Sequence, residues 1–242
     1  MINIVVAGAN GRMGTLIIKQ IGVANGCVLA GTADIDAPLE NVIDKADVVI
    51  DFTTADAAAR HATLAAEHRK PIVIGTTGLD EAQRAEVHKA SKRTAVLHAP
   101  NMSLGVNLLF HLVKIASQRL GTEFVVDVLE THHTKKIDRP SGTAVRIADV
   151  VIDARNLDRE RDVVVVEEQE PNGKHPLTVS SFRKGDVVGD HAVRFSSNEE
   201  VLEINHCALT RELFARGAVV AARWIADKPA GQYERADVLN LR

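Results

Sequence analysis

Between residues 130 and 144 the chain reads ETHHTKKIDRPSGTA. Two adjacent imidazoles, His132 and His133, stand a few residues before Lys136, and the turn-forming run Pro140-Ser141-Gly142-Thr143 closes the stretch. With ordinary pKa values of about 6.5 for His and about 10.4 for Lys, it combines a group that titrates near neutrality with a stable positive charge. Such a stretch suits proton transfer to, and binding of, a negatively charged molecule. A solvated polar loop has a similar composition. The rest of the chain has to decide between them.

A second group of residues suits a phosphate. Directly after a first apolar run comes Gly8-Ala9-Asn10-Gly11-Arg12-Met13-Gly14. Glycine lets a backbone turn sharply and approach a pyrophosphate, and the N–H groups and positive dipole end of a following helix favour that anion. The spacing is GxxGxxG, not GxGxxG, with Asn10 in place of the second glycine. Asn tolerates left-handed backbone better than most residues. The context fits a dinucleotide: strand before, helix after, and an acid, Asp34, about 20 residues further on, where it can accept from ribose hydroxyls. Its charge repels the extra phosphate of NADPH, whereas Arg12 in the same turn offsets that charge. NADH is expected to be preferred, or both cofactors used. Two further loops, Gly75-Thr76-Thr77-Gly78 and Ala99-Pro100-Asn101-Met102-Ser103, also follow strand-like runs, so both are expected to border the same crevice.

The elements that must hold these groups fall into two patterns. Apolar, β-branched runs at 2–7, 28–32, 48–52, 72–74 and 95–98 alternate with helix-like segments at 13–23, 56–68 and 80–91. That order predicts βαβ units around a parallel sheet. Beyond Asn101 a long amphipathic helix over 104–120 leads into strand-like segments at 124–129, 163–166, 177–182, 187–195 and 201–206, which predicts an α+β domain. Residues 153–162 read as an exposed helix end and loop. A last helix over 211–226 has an apolar face that needs cover, and it is expected to return to the first domain. The division is therefore 1–103 with 214–242 as a dinucleotide-binding domain, and 104–213 as a second domain.

Composition removes other function classes. The 242 residues carry a net charge of −3, so there is no basic surplus for a nucleic-acid backbone. Cys27 and Cys207 stand far apart without CxxC spacing, which predicts neither a disulfide framework nor a cysteine zinc site. Adjacent histidines on a strand point to opposite faces and no HExxH spacing occurs, so no metal is expected. No apolar run reaches membrane-spanning length, and the N-terminus lacks a basic leader with a cleavage site. A cytoplasmic protein is expected.

Taken together, GANGRMG at 8–14, DFTT at 51–54, GTTG at 75–78, APNMSLGVN at 99–107, HHxxKxDxPSGTA at 132–144 and RKGDVVGDH at 183–191 resemble the dihydrodipicolinate reductase family over nearly the whole chain. The resemblance implies a Rossmann-like cofactor domain joined to an α+β substrate and oligomerisation domain with a mixed sheet, commonly assembled as a homotetramer. It implies reduction of a cyclic unsaturated dicarboxylate by NADH or NADPH on the route to lysine and diaminopimelate. His132 would then give and take the proton, Lys136 would be a second proton donor, His133 a substrate contact, and Gly142 with Thr143 the binders of a substrate carboxylate. Gly8, Ala9, Asn10, Gly11, Arg12, Met13, Asp34, Gly75, Thr76, Thr77, Ala99, Pro100, Asn101 and Met102 match the cofactor positions. The two domains would close across a hinge near Ser103 and Phe214. Arg139 stands where the family usually has a small residue, and Ile35 where some members carry an Arg for a ribose phosphate. A cofactor-binding sensor or scaffold without catalysis, or a reductase of another carboxylate, are the rival readings.

Overall fold

A computed structural model of the chain describes residues 1–241. Strand β1 (Ile2–Ala7) sets the pattern of its first half: Ile4 and Val6 enter one apolar layer, Val5 and Ala7 the other. Only a sheet covered on both faces gives both sets a place. Then follow α1 (Arg12–Val23), β2 (Cys27–Ala33), two short 3₁₀ turns, β3 (Val48–Asp51), α2 (Ala55–Glu67), β4 (Ile72–Ile74), α3 (Glu81–Ala90) and β5 (Ala95–His98).

After α4 (Leu104–Arg119) come β6 (Val125–His132), α5 (Gly142–Arg155), the short α6 (Arg159–Asp162), β7 (Val163–Glu167), β8 (Leu177–Arg183), β9 (Asp190–Ser196) and β10 (Val201–Cys207). The chain ends with α7 (Glu212–Ile225), β11 (Gly231–Tyr233) and α8 (Arg235–Val238). Two compact units result, one of Met1–Leu104 with Glu212 onward and one of Gly105–Arg211.

The first unit is a six-stranded parallel sheet in the order β11-β5-β4-β3-β1-β2. Helices α1 and α7 cover one face through Ile17, Ile21, Ala218, Val219 and Ala222, and α2 and α3 cover the other through Ala58, Ala62, Ala65 and Val87. Helix α7 thus covers its apolar face on β3, β4 and β5, beside α1, with Gly217 allowing a close approach: a Cβ there would stand 1.8 Å from the carbonyl oxygen of Met102. The strand order reverses between β1 and β3, and ligands of open α/β sheets sit outside such a point.

The second unit is a mixed sheet in the order β10-β9-β6-β8-β7, with β6 parallel to β8 and antiparallel to β9. Leu109 and Val113 of α4 and Ile147, Ala148 and Val151 of α5 pack on Val126, Val128, Val179, Val193 and Phe195.

Several boundaries differ from expectation. Strand β6 runs on through Glu130 to His132, because the polar side chains on its inner face pair with each other instead of with water. Strand β9 starts at Asp190, three residues late, since Val187 turns back to donate to the Lys184 carbonyl. Helix α5 and strand β11 were not laid out by hydrophobic periodicity. β11 is three residues long and pairs with β5 at the sheet edge, too short to show a period.

Candidate functional site

The glycine turn sits at the carboxyl end of β1. Gly8 has φ +80°, and a Cβ on it would stand 2.3 Å from the carbonyl oxygen of Phe52, the residue after β3. Only glycine combines that backbone with that approach. Gly11 caps α1 without a side-chain acceptor, and no acid lies in the helix's first turn. The amides of Arg12, Met13 and Gly14 have no acceptor within the helix. The protein therefore leaves a positive helix end for an anion from elsewhere, as a pyrophosphate requires.

Asp34 follows β2 and accepts from the Asn10 amide at 2.8 Å and the Ile35 amide at 2.9 Å. Those two hydrogen bonds, Asn10 foremost, hold its carboxyl below the usual range, so it is ionised at neutral pH. The acid is thus tied directly to the glycine turn.

Thr76 uses its hydroxyl inward. It donates to Asp51 at 2.8 Å, while the Thr53 amide donates to Thr76 Oγ1 at 2.9 Å. Asp51, fully buried at the end of β3, also accepts from Thr53 Oγ1 and lies 2.6 Å from His61 Nδ1. One carboxylate thereby pins the loops after β3 and β4. The sequence carries Asp51 within DFTT and one signal of this role, an acid ending an otherwise apolar strand. Ala99 and Met102 are buried in the apolar core of this unit, whereas Pro100 and Thr77 are exposed. Whatever Ala99 and Met102 offer a ligand comes from their backbone.

In the second unit, Glu130 and His132 lie two residues apart on β6, so both project from the face that α5 covers. Glu130 is completely buried and His132 nearly so. One Glu130 oxygen, Oε2, contacts His132 Nδ1. The other, Oε1, accepts from Arg183 Nη1 at 3.1 Å and from the Ser141 amide at 3.2 Å. Burial alone would raise the Glu130 carboxyl, but the hydrogen bond and charge of His132, with the Arg183 hydrogen bond, outweigh it and bring the pKa down to about 2.

His191, opposite Glu130 across the β6–β9 ladder, meets the His132 ring edge-on at 5.2 Å, and its Nε2 lies 3.3 Å from Ser141 Oγ. Burial foremost, and then the charge of His132, push its pKa to about 3. It is a neutral imidazole throughout the physiological range. Glu130, His132 and His191 bring possible ligand atoms within 4.8 Å of one another. The Glu130 carboxylate, however, already neutralises Arg183, and a second cation there would repel that guanidinium.

Ser141 caps α5 by accepting from the Ala144 amide at 3.2 Å. This places Gly142 and Thr143 in the first turn of α5, next to the Glu130–His132 couple. A Cβ on Gly142 would meet nothing within 4 Å, so the protein's own packing does not demand glycine there. His133 faces away from His132 along the strand, where Arg211 Nη2 stands 3.3 Å from its Nε2. Partial desolvation first, then the charges of Arg211, His132, Lys136 and Arg183, lower the His133 pKa.

Lys136 Nζ bonds both oxygens of exposed Asp138 at 2.8 Å. Its backbone is fixed separately, its amide donating to the His133 carbonyl at 3.1 Å and its carbonyl accepting from Arg183 Nε at 3.3 Å. Arg183 also donates to the Asp138 carbonyl at 2.5 Å. This arginine, its side chain buried at the end of β8, ties the 133–138 loop to the strand pair beneath it. Arg139, the position out of pattern, pairs with Glu168 at 2.8 Å and Glu167 at 3.5 Å, so its extra charge is neutralised within its own neighbourhood. The supporting roles of Glu130, Arg183, His191 and Arg211 are not legible in the sequence, although Arg183 and His191 bound the RKGDVVGDH motif, because the fold brings Arg183, His191 and Arg211 to this site from distant positions.

Comparison with known proteins agrees across the whole chain. The family model described as dihydrodipicolinate reductase, N-terminus, matches residues 2–102, and the one described as dihydrodipicolinate reductase, C-terminus, matches 105–239. A 4-hydroxy-tetrahydrodipicolinate reductase from an Anaeromyxobacter species is 42% identical over 100% of this chain and 99% of its own length. One from Syntrophotalea carbinolica is 39% identical over the full length of both. Among solved structures, a dipicolinate-bound dihydrodipicolinate reductase from a Paenisporosarcina species has a TM-score of 0.79 at 19% identity, covering 98% of each chain, which supports the fold.

Proposed function

The chain belongs to the dihydrodipicolinate reductase family, and we propose that it reduces 4-hydroxy-tetrahydrodipicolinate to tetrahydrodipicolinate with NADH or NADPH, for lysine and diaminopimelate synthesis. The observation that carries this reading is the buried Glu130–His132 couple beside the start of α5, with Lys136 in the loop that follows. A bound nicotinamide supplies the hydride; the protein's own groups manage charge and protons. The 4-hydroxyl leaves as water to give the conjugated dihydro ring, and as hydride adds to that ring negative charge moves toward the ring nitrogen and the carbon adjacent to the one that takes the hydride. His132 gives the proton there and Lys136 is a second donor and a cation near the developing charge. Gly142 and Thr143 receive a ring carboxylate at the start of α5, and His133 with Arg211 offers a further polar contact.

On the cofactor side, the turn from Gly8 to Met13 holds the pyrophosphate, Asp34 the adenine ribose, and the loops Gly75 to Thr77 and Ala99 to Met102 border the remainder. The unit of Met1–Leu104 with the C-terminal helix is the nucleotide unit, and 105–211 the substrate and assembly unit. A homotetramer built through the second unit's sheet, acting in the cytoplasm, completes the reading. The Asp34 charge favours NADH, although Arg12 keeps NADPH use open. Replacing Asp34 by Asn is expected to raise the ratio of kcat/KM for NADPH to that for NADH by about tenfold, a change of about 1.4 kcal/mol in relative transition-state binding. An unchanged ratio in steady-state assays would remove Asp34 from cofactor discrimination.

The activity itself is tested by supplying the condensation product of pyruvate and aspartate semialdehyde to the purified protein and following loss of the reduced nicotinamide absorbance. Oxidation of NADH supports the reading. Binding of NADH without its oxidation would instead favour a cofactor sensor.

A further inference from the structure

We propose that Glu130 is the positioning residue of the proton-transfer step: it holds His132 by Nδ1, so that Nε2 alone exchanges the proton with the substrate. The inference rests on His132 being the proton donor. Three observations beyond that reading support it.

First, the contact is specific to one nitrogen. Glu130 Oε2 meets Nδ1, and with Glu130 ionised that nitrogen must be a donor. A ring anchored through Nδ1–H has its tautomer and its orientation set together. Second, the carboxylate is itself held. Arg183 and the Ser141 amide both donate to Oε1, which leaves Oε2 for the imidazole and prevents the carboxylate from swinging. Third, the far side of the ring is kept clear by Gly189. A Cβ on that residue would stand 2.8 Å from His132 Nε2, closer than side-chain carbons tolerate, so any larger residue would press on the nitrogen that has to reach the substrate. Gly189 is not in a left-handed conformation. Its backbone does not demand glycine; the space beside Nε2 does.

The competing explanation is that Glu130 only neutralises buried Arg183. The two make different predictions for substitutions and for the imidazole itself. Glu130→Gln keeps the shape but loses the charge that selects Nδ1–H. It should lower kcat at least about tenfold while the substrate KM and the NADH dissociation constant stay within about twofold. In ¹⁵N-resolved NMR of the whole protein, the His132 ring should change from a single Nδ1–H species to a mixture of tautomers. Glu130→Asp retains the negative charge for Arg183 but withdraws the carboxylate from the ring by one methylene. It should lower kcat similarly, whereas a purely structural role predicts near-complete rescue. The Asp variant decides the matter should the Gln variant fail to fold.

A variant of either kind with unchanged kcat and an unchanged tautomer would overturn the proposal. His132→Gln separates this failure from failure of the parent reading. If His132→Gln retains full activity, His132 is not the proton donor at all. If it loses activity while the Glu130 variants do not, only the positioning role falls.

Discussion

Replacing Lys136 by Ala is expected to lower kcat by about 10²- to 10⁴-fold, the range for removing a positioned proton donor, while the NADH dissociation constant changes less than about twofold. The structure explains why the effect should be confined to turnover. The backbone of Lys136 is held by the His133 carbonyl and by Arg183, neither of which needs the ammonium group. The Lys136–Asp138 pair contributes little to stability, because Asp138 is largely exposed and such pairs are worth at most about 1 kcal/mol. The loop should therefore keep its path in the variant, and the melting temperature should move by no more than about 2–4 °C. The glycine turn and Asp34 belong to the other compact unit, and neither is among the groups that Lys136 contacts. Steady-state kinetics with a separate NADH titration checks both halves. Equal loss of turnover and NADH binding would move Lys136 out of the proton step and into the cofactor site or the fold.

Part of the site is legible in the sequence because it is built from neighbours in the chain. The glycine turn and the βαβ order are local: strand, turn and helix are neighbours in the chain, and the unbroken apolar run of Ile4, Val5, Val6 and Ala7, which needs a sheet covered on both faces, is written in consecutive residues. His132 and Lys136 stood out for their chemistry. Their support did not, because it comes from across the sheet. Glu130 is held in place by Arg183, 53 positions away, and His191 comes opposite it only through the β6–β9 register. Asp51 looked like the end of a strand, and its role as acceptor for Thr53 and Thr76 depends on β3 and β4 lying side by side. The extension of β6 through His132 has the same origin. A polar run predicts a loop until the partner that neutralises it is known. Arg139 was conspicuous as an added charge, and it becomes unremarkable once Glu167 and Glu168 stand beside it.

Two glycines of one helix should respond oppositely to the same substitution. Gly14 and Gly22 both lie in α1, where alanine is intrinsically favoured over glycine by about 0.8–1 kcal/mol in a helix interior. At Gly22 a Cβ meets nothing within 4 Å, so Gly22→Ala should be neutral or stabilising by up to that amount. At Gly14 a Cβ would stand 2.1 Å from the Gly8 carbonyl oxygen and 2.7 Å from the Ala9 Cα. These are backbone atoms that no rotamer change can remove, and Gly8 is itself wedged against the carbonyl of Phe52. Overpacking of this kind costs about 1–3 kcal/mol or more, which exceeds the helix gain. Gly14→Ala should lower the melting temperature by roughly 2–8 °C, at about 2–4 °C per kcal/mol for a chain of this size. It should also weaken NADH binding at least about tenfold, because the displaced segment is the turn whose amides would meet the pyrophosphate. Thermal unfolding and cofactor fluorescence titration of the two variants, side by side, distinguish this from a general intolerance of α1. A Gly14→Ala protein that melts normally and binds NADH normally would mean that the turn can shift away from the helix without cost, and the close approach of Gly8, Ala9 and Gly14 would then have no part in holding the cofactor.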